Sequence, residues 1–236
     1  MGKSKKICLF IVEGIADQIS LAVPLKRLFQ NSSDIRFEIT YGDITSDTRT
    51  NTQNVLAQIG NIINRYLKIN KLKKSDLLSV VQIIDMDGTY ISAENVLLPG
   101  PDYSGNLPYY GLEYIYASSI DNLVDRNNRK SDNINRIRFN QCILNNIQYR
   151  VYYFSCNMDH VLHGNANLSN EQKTELAAAF AEKYKDDLNG FLKLLSDKYP
   201  ENIERDYKSS WEFIEQGNRS LEAWSNFVLF IELTIK

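Results

Sequence analysis

Two largely apolar runs, each followed directly by acidic residues, constrain the fold of this chain more than any other feature of its sequence. The first run covers residues 7–12 and is followed by Glu13, Gly14 and Asp17. The second covers residues 77–84 and is followed by Asp85, Asp87 and Gly88. Apolar runs of this length are typical of strands that are buried on both faces of a parallel sheet. Ligands of α/β proteins bind at the carboxyl ends of such strands, so both acidic clusters are expected at an edge of the sheet where a site can form.

Strand and helix patterns alternate over the first two thirds of the chain. Strands are predicted at about 6–12, 36–41, 77–84 and 149–154, and helices at about 17–29 and 52–69. Alternation of this kind indicates βαβ units. It therefore predicts an α/β fold with one mainly parallel sheet and helices on both of its faces.

The rest of the chain divides into a loop-rich insertion and a helical C-terminal part. The insertion covers about 88–148, and within it 98–113 interleaves prolines and glycines with tyrosines. These tyrosines either pin a long loop to the core or stack on nucleic-acid bases. Helical patterns follow at about 168–195, 208–216 and 220–235. The predicted organisation is an α/β domain at 1–160, which contains the insertion, and a helical appendage at 161–236 packed on it.

Composition narrows the class of protein. A hydrophobic content of 43% is enough for a core and argues against disorder. The net charge of −2 excludes a globally basic nucleic-acid binder. Basic residues are concentrated at 3–6 and 126–138, which we interpret as solvated surface, with a local binding patch as the alternative. The cysteines lack zinc-site spacing, and no apolar run has the length of a membrane span, so a cytoplasmic protein without a membrane partner is expected.

The acidic clusters predict a divalent-cation site. Carboxylates that converge at one sheet edge repel one another unless a cation lies between them, and hard oxygen ligands favour Mg²⁺ or Mn²⁺. The candidate ligands are Glu13, Asp17, Asp85 and Asp87. The small residues Gly14 and Gly88 would let the backbone approach a phosphate closely. Asp43 and Asp47 are further candidates in a polar loop, and the alternative is that each acidic cluster only forms a turn.

An apolar strand ending in Glu-Gly-x-x-Asp, a βα unit, and an apolar strand ending in Asp-x-Asp together resemble the topoisomerase–primase (Toprim) domain. The form with Asp17 is most similar to the Toprim domains of OLD-type nucleases and RloB-like proteins. The segment from Ser155 to His163 is also similar to a later motif of RloB-like proteins, with Asp159 in place of the usual Glu, followed by His160. The resemblance implies an Mg²⁺-dependent nuclease, catalytic through Glu13 and Asp85, that acts on DNA or RNA in defence against phage and foreign DNA.

Two other functions remain open. The chain has no P-loop, so it would be a free-standing Toprim protein with a separate ATPase partner, or a binding module for nucleic acid or nucleotide without turnover. Asp-Met-Asp-Gly-Thr also resembles the first motif of haloacid-dehalogenase-like phosphatases. That resemblance implies Asp85 as nucleophile, Asp87 as general acid/base, Ser155 as phosphate ligand, and Asp186 with Asp187 as metal ligands.

Overall fold

The central element of the molecule is a sheet whose strands run through the apolar segments of the sequence. The computed structural model describes residues 5–235. The strands are β1 (Ile7–Val12), β2 (Asp34–Ile39), β3 (Leu77–Asp85), β4 (Val96–Leu97), β5 (Tyr109–Tyr110), β6 (Ile115–Tyr116), β7 (Cys142–Ile143) and β8 (Ile147–Phe154). The helices are α1 (Ile15–Leu28), α2 (Val55–Ile69), α3 (Ile120–Ile137), α4 (Met158–His163), α5 (Asn170–Tyr184), α6 (Leu188–Asp197), α7 (Tyr207–Ile214) and α8 (Val228–Ile235).

Five strands form the main sheet in the order β2-β1-β3-β8-β7. The first four are parallel to one another, and only the short β7 is antiparallel to its neighbour. All four strands predicted from the sequence lie in this sheet, so the prediction of an α/β fold with a mainly parallel sheet is confirmed. Because β1 and β3 are adjacent and parallel, the two acidic clusters emerge side by side.

Alternate residues of each strand enter two separate cores. On β1, Phe10 packs on one face with α1, α5, α6 and α8, and Leu9 packs on the other with α2, α3 and α7. Both side chains have 0% exposure, and full burial of such a residue contributes about 1.5–3 kcal/mol. The predicted helices on both faces are therefore present, and helices of the C-terminal third pack on each face.

The insertion between β3 and β8 is more ordered than the sequence predicted. It holds a small sheet of order β4-β6-β5 and the 18-residue helix α3, which the prediction of a loop-rich segment missed. The tyrosines pack on one another beside this sheet, with ring centroids of Tyr114 and Tyr116 4.7 Å apart. The helix begins at Ser119, whose hydroxyl accepts a hydrogen bond from the backbone of Asn122.

Two C-terminal helices differ from their predicted bounds. The pattern at 168–195 is two helices, because Asp187 caps α6 by accepting a hydrogen bond from the backbone of Gly190 at 2.8 Å. The pattern at 220–235 is α-helical only from Val228, after a 3-10 turn at Arg219–Leu221. Before it, Asn226 accepts a hydrogen bond from the backbone N–H of Tyr153 at 2.9 Å, on the side of β8 that the short β7 leaves without a partner. No helix within residues 5–235 is both long and apolar enough to cross a membrane.

Candidate functional site

Each of four neighbouring strands ends in, or is followed by, a carboxylate at the same edge of the sheet. Asp43 follows β2, Glu13 follows β1, Asp85 ends β3, and Asp159 follows β8. Since these strands are parallel and adjacent, the carboxylates lie along one edge in that order. The sequence predicted the two central members of this row from the apolar runs that precede them.

Glu13 and Asp85 form the centre of the site. An oxygen of Glu13 accepts a hydrogen bond from the backbone N–H of Asp85 at 3.3 Å, and Asp85 accepts one from the backbone N–H of Met158, the first residue of α4, at 2.9 Å. Burial raises the pKa of Glu13 well above its usual value, and the nearby carboxylates of Asp43 and Asp85 raise it further. Burial, with the charges of Asp17 and Asp87, likewise raises the pKa of Asp85. Neither carboxylate forms a salt bridge within the described part of the chain.

Asp87 is held differently, by a buried lysine. The ammonium of Lys130 lies 2.7 Å from an oxygen of Asp87 and 2.8 Å from an oxygen of Asp43, and the lysine side chain has 0% exposure. Asp87 has a φ of +50°, and its backbone N–H donates to the carbonyl of Cys156 at 2.6 Å. The left-handed backbone turns the carboxylate away from the direction of β3 and toward α3. Asp87 therefore has a cationic partner, which Glu13 and Asp85 lack within the described residues.

Helix α3 is anchored to the edge of the sheet on both sides of Lys130. Arg126 donates to the backbone carbonyl of Asp87 at 2.7 Å, and Asn127 donates to that of Gly88 at 3.2 Å. Further along the helix, Asn133 donates to the carbonyl of Thr45 at 2.8 Å. The interpretation of 126–138 as solvated surface is therefore wrong for its central residue. Lys130 and its neighbours point inward because the loops after β2 and β3 offer carbonyls and carboxylates that need donors.

Asp17 and Asp159 lie on the other side of Asp85. Asp17 accepts a hydrogen bond from the backbone N–H of Gly14 at 2.8 Å and so caps helix α1. Burial raises the pKa of Asp17 to about 6, against the opposing effect of that hydrogen bond. Asp159 pairs with Lys173 of α5 at 2.9 Å. Asp17 thus has a structural role at the start of α1, beside any role at the site.

A side chain would not fit at Gly88, whereas Gly14 has room for one. Gly88 has a φ of +67°, and a Cβ there would lie 2.6 Å from side-chain carbons of both Ile115 and Leu221. Gly14 has an extended backbone, and a Cβ there would meet only Asp17, at 3.6 Å. The structure supplies a packing and conformational reason for Gly88 that is independent of a phosphate.

No hydrogen bond or salt bridge of the described residues joins the side chains of the α4 histidines to Glu13 or Asp85. The ring of His163 packs edge-on against Phe180, with centroids 5.6 Å apart. Burial lowers the pKa of His160, and the nearby Lys198 lowers it further. Both histidines belong to the packing between α4 and the C-terminal helices.

The residues of the phosphatase interpretation do not come together. Asp85 and Asp87 are near each other, but the buried hydroxyl of Ser155 donates to the backbone carbonyl of Arg219. Asp186 pairs with Arg27 at 3.5 Å, and Asp187 caps α6. Asp47, the other loop candidate, pairs with its neighbour Arg49 at 2.7 Å.

The fold and the site define an α/β protein with an acidic edge of its sheet that is partly neutralised by buried lysine. Comparison with protein-family models, with curated proteins and with solved structures returned no match for this chain. Within residues 5–235, no three His, Cys, Asp or Glu side chains are arranged so that together they could hold a metal ion.

The sequence showed the basic residues of 126–138 but did not place any of them beside the carboxylates of the site. Lys130 and Arg126 lie on a helix whose inner face is partly polar, and Lys173 lies on a helix that was predicted only as part of an appendage. The available signal was spacing: Leu123, Asn127, Lys130, Ile134 and Ile137 recur at helical intervals and are all buried. A search limited to apolar periodicity does not find such a face.

Proposed function

We propose that this protein is a Toprim-like, divalent-cation-dependent nuclease or phosphotransfer protein that acts on nucleic acid. The observation that carries the proposal is the Glu13–Asp85 pair. These two carboxylates lie at the ends of adjacent parallel strands and are partly buried, with an oxygen of Glu13 accepting a hydrogen bond from the backbone N–H of Asp85. Neither forms a salt bridge in the described residues. The order of elements from β1 to Asp87 supports the Toprim resemblance, and that resemblance suggests a role in defence against phage and foreign DNA.

The donor set fits Mg²⁺ or Mn²⁺. Mg²⁺ keeps several waters and commonly takes only one or two protein carboxylates, together with phosphate oxygens of its substrate. Glu13 and Asp85 are hard oxygen donors. Burial raises the pKa of both, and neighbouring carboxylates raise each pKa further, so a divalent cation would stabilise their charged forms. These two residues would hold the ion, and the charge of Asp17 also raises the pKa of Asp85.

The residues around the pair have distinct tasks in this proposal. A bound cation would supply Lewis-acid stabilisation of the charge on a phosphodiester. Glu13 and Asp85 fix its position, because each is held by a backbone hydrogen bond at the end of a strand or the start of a helix. Arg126 and Lys173 are partly exposed on opposite sides of the pair and provide positive charge for the phosphates of a nucleic acid.

The test is metal-dependent cleavage of single- and double-stranded DNA and RNA. We expect cleavage by the unmodified protein with Mg²⁺ or Mn²⁺, and loss of about two to three orders of magnitude in rate for Asp85→Asn and Glu13→Gln. Asp102→Asn is the matched control, since it removes the same charge from an exposed loop residue. Equal cleavage by Asp85→Asn and the control would show that the pair is not the active site.

A non-catalytic binding module is the second candidate, and the ion pair between Lys130 and Asp87 favours it. Lys130 neutralises one of the two acidic residues that a Toprim nuclease would present after this strand. In this case Mn²⁺ and nucleic acid would bind, but no cleavage would follow with any substrate. If cleavage appeared when a separate ATPase was added, the result would instead support the nuclease function.

A further inference from the structure

The buried ammonium of Lys130 lies between the carboxylates of Asp43 and Asp87. A second divalent cation at this site would need the same position. We infer that Lys130 is a built-in cation that limits this site to one divalent ion, held at Glu13 and Asp85. The inference rests on the proposed function, because it concerns the same site. It goes beyond that function by fixing the metal stoichiometry and assigning a role to helix α3.

The geometry is that of a cation shared by two acidic residues. The nitrogen of Lys130 lies 2.7 Å from Asp87 and 2.8 Å from Asp43, and these carboxylates come from the loops after β3 and β2. Their side chains are 20% and 10% exposed, while that of Lys130 is 0% exposed. A small cation that bridged these loops would need the same oxygens. The ammonium already occupies that bridge.

The lysine keeps its charge in this position. Burial by itself lowers the pKa of Lys130, but the carboxylates of Asp43, Asp87 and Glu13 outweigh that effect and raise it. Burial also tends to raise the pKa of Asp43, but Lys130 and the hydroxyls of Thr45 and Ser46 lower it overall. The geometry agrees with this direction, because the ammonium contacts a carboxylate oxygen on each side.

Lys130 cannot easily leave this place. Arg126 and Asn127 bind the backbone of Asp87 and Gly88 on one side, and Asn133 binds that of Thr45 on the other. Moving the ammonium away would leave it buried without a partner, or would require α3 to separate from both loops. A divalent ion entering between Asp43 and Asp87 would thus meet a fixed like charge.

Because the side chain of Lys130 is buried, it does not contact the substrate directly. A side chain with 0% exposure does not present its ammonium to a phosphate of the substrate. Lys130 is therefore a positioning residue, which holds Asp87 and Asp43 together through its ammonium. Glu13 and Asp85, which have no such partner in the described residues, are left to bind one ion.

The experiment measures how many Mn²⁺ ions bind per chain, by calorimetric titration and by electron paramagnetic resonance, which detects coupling between two close Mn²⁺ ions. We expect one ion for the unmodified protein. We expect two coupled ions for Lys130→Met, because the uncharged side chain frees Asp43 and Asp87 for a second ion. Lys193→Met is the matched control: it removes the same charge from an exposed position of α6, where Lys193 pairs with Asp197 of the same helix, and should leave one ion bound.

Each outcome decides a different point. Two ions in the unmodified protein, or one ion in Lys130→Met, would overturn the inference about Lys130 and leave the proposed function standing. No Mn²⁺ bound to the unmodified protein would reject the proposed function itself. If Lys130→Met is unfolded without metal, Mn²⁺ should restore its circular dichroism with two ions per chain. Failure to refold with Mn²⁺ would also overturn the inference.

Discussion

The positions of individual residues at this site depend on local backbone geometry as much as on charge. Asp87 and Gly88 are consecutive residues with positive φ, of +50° and +67°. This turn directs Asp87 toward Lys130 and brings the backbone at Gly88 against Leu221, where no side chain fits. The Asp-x-Asp-Gly motif is therefore both a turn and part of a charged site, and the two interpretations of the sequence are not exclusive.

Gly88→Ala tests the backbone requirement at the residue scale. We expect a loss of about 2–4 kcal/mol in the free energy of unfolding, from positive-φ strain together with overlap with Ile115 and Leu221. Gly164→Ala is the matched control, because Gly164 has a φ of +76° but no atom within 4 Å of the added carbon, and should lose only about 1 kcal/mol. Urea denaturation measures both variants. Equal losses would mean that the packing around Gly88 is not tight.

At the scale of elements, the strands could be predicted from the sequence and helix α3 could not. A buried parallel strand has an apolar run, and β1 and β3 both have one. Helix α3 buries Asn127, Lys130 and Asn133 beside its apolar residues, so its inner face looks polar in sequence. Its partners lie 39 to 88 residues away along the chain, on the loops after β2 and β3, and short-range patterns contain no information about them.

Asn133→Ala tests whether α3 is an anchor of the site. The side chain of Asn133 is fully buried and donates to the backbone carbonyl of Thr45, so its loss leaves a buried acceptor unpaired and should cost about 1–3 kcal/mol. Asn135→Ala, at an exposed position of the same helix, should change stability by no more than about 0.5 kcal/mol. Thermal and urea unfolding compare the two. An equally small effect at both positions would contradict the anchoring role.

At the scale of the whole molecule, the site is an edge where charge is concentrated and only partly balanced. Its carboxylates are Glu13, Asp17, Asp43, Asp85, Asp87 and Asp159, and its cationic side chains are Arg126, Lys130 and Lys173. The sequence predicted Glu13 and Asp85 at one edge of the sheet because each follows an apolar run typical of a buried parallel strand. It did not predict the cations, since they come from the insertion and from the C-terminal helices, which pack on the sheet only in three dimensions.

The central claim is that Glu13 and Asp85 together bind one divalent cation. Crystals soaked in Mn²⁺ and measured for anomalous scattering test it most directly. We predict one strong peak at the carboxyl ends of β1 and β3, within about 2.0–2.6 Å of a carboxylate oxygen of Glu13 and one of Asp85. A Mn²⁺ peak that touches neither carboxylate, or no peak at a concentration that saturates Mn²⁺ binding in solution, would contradict it.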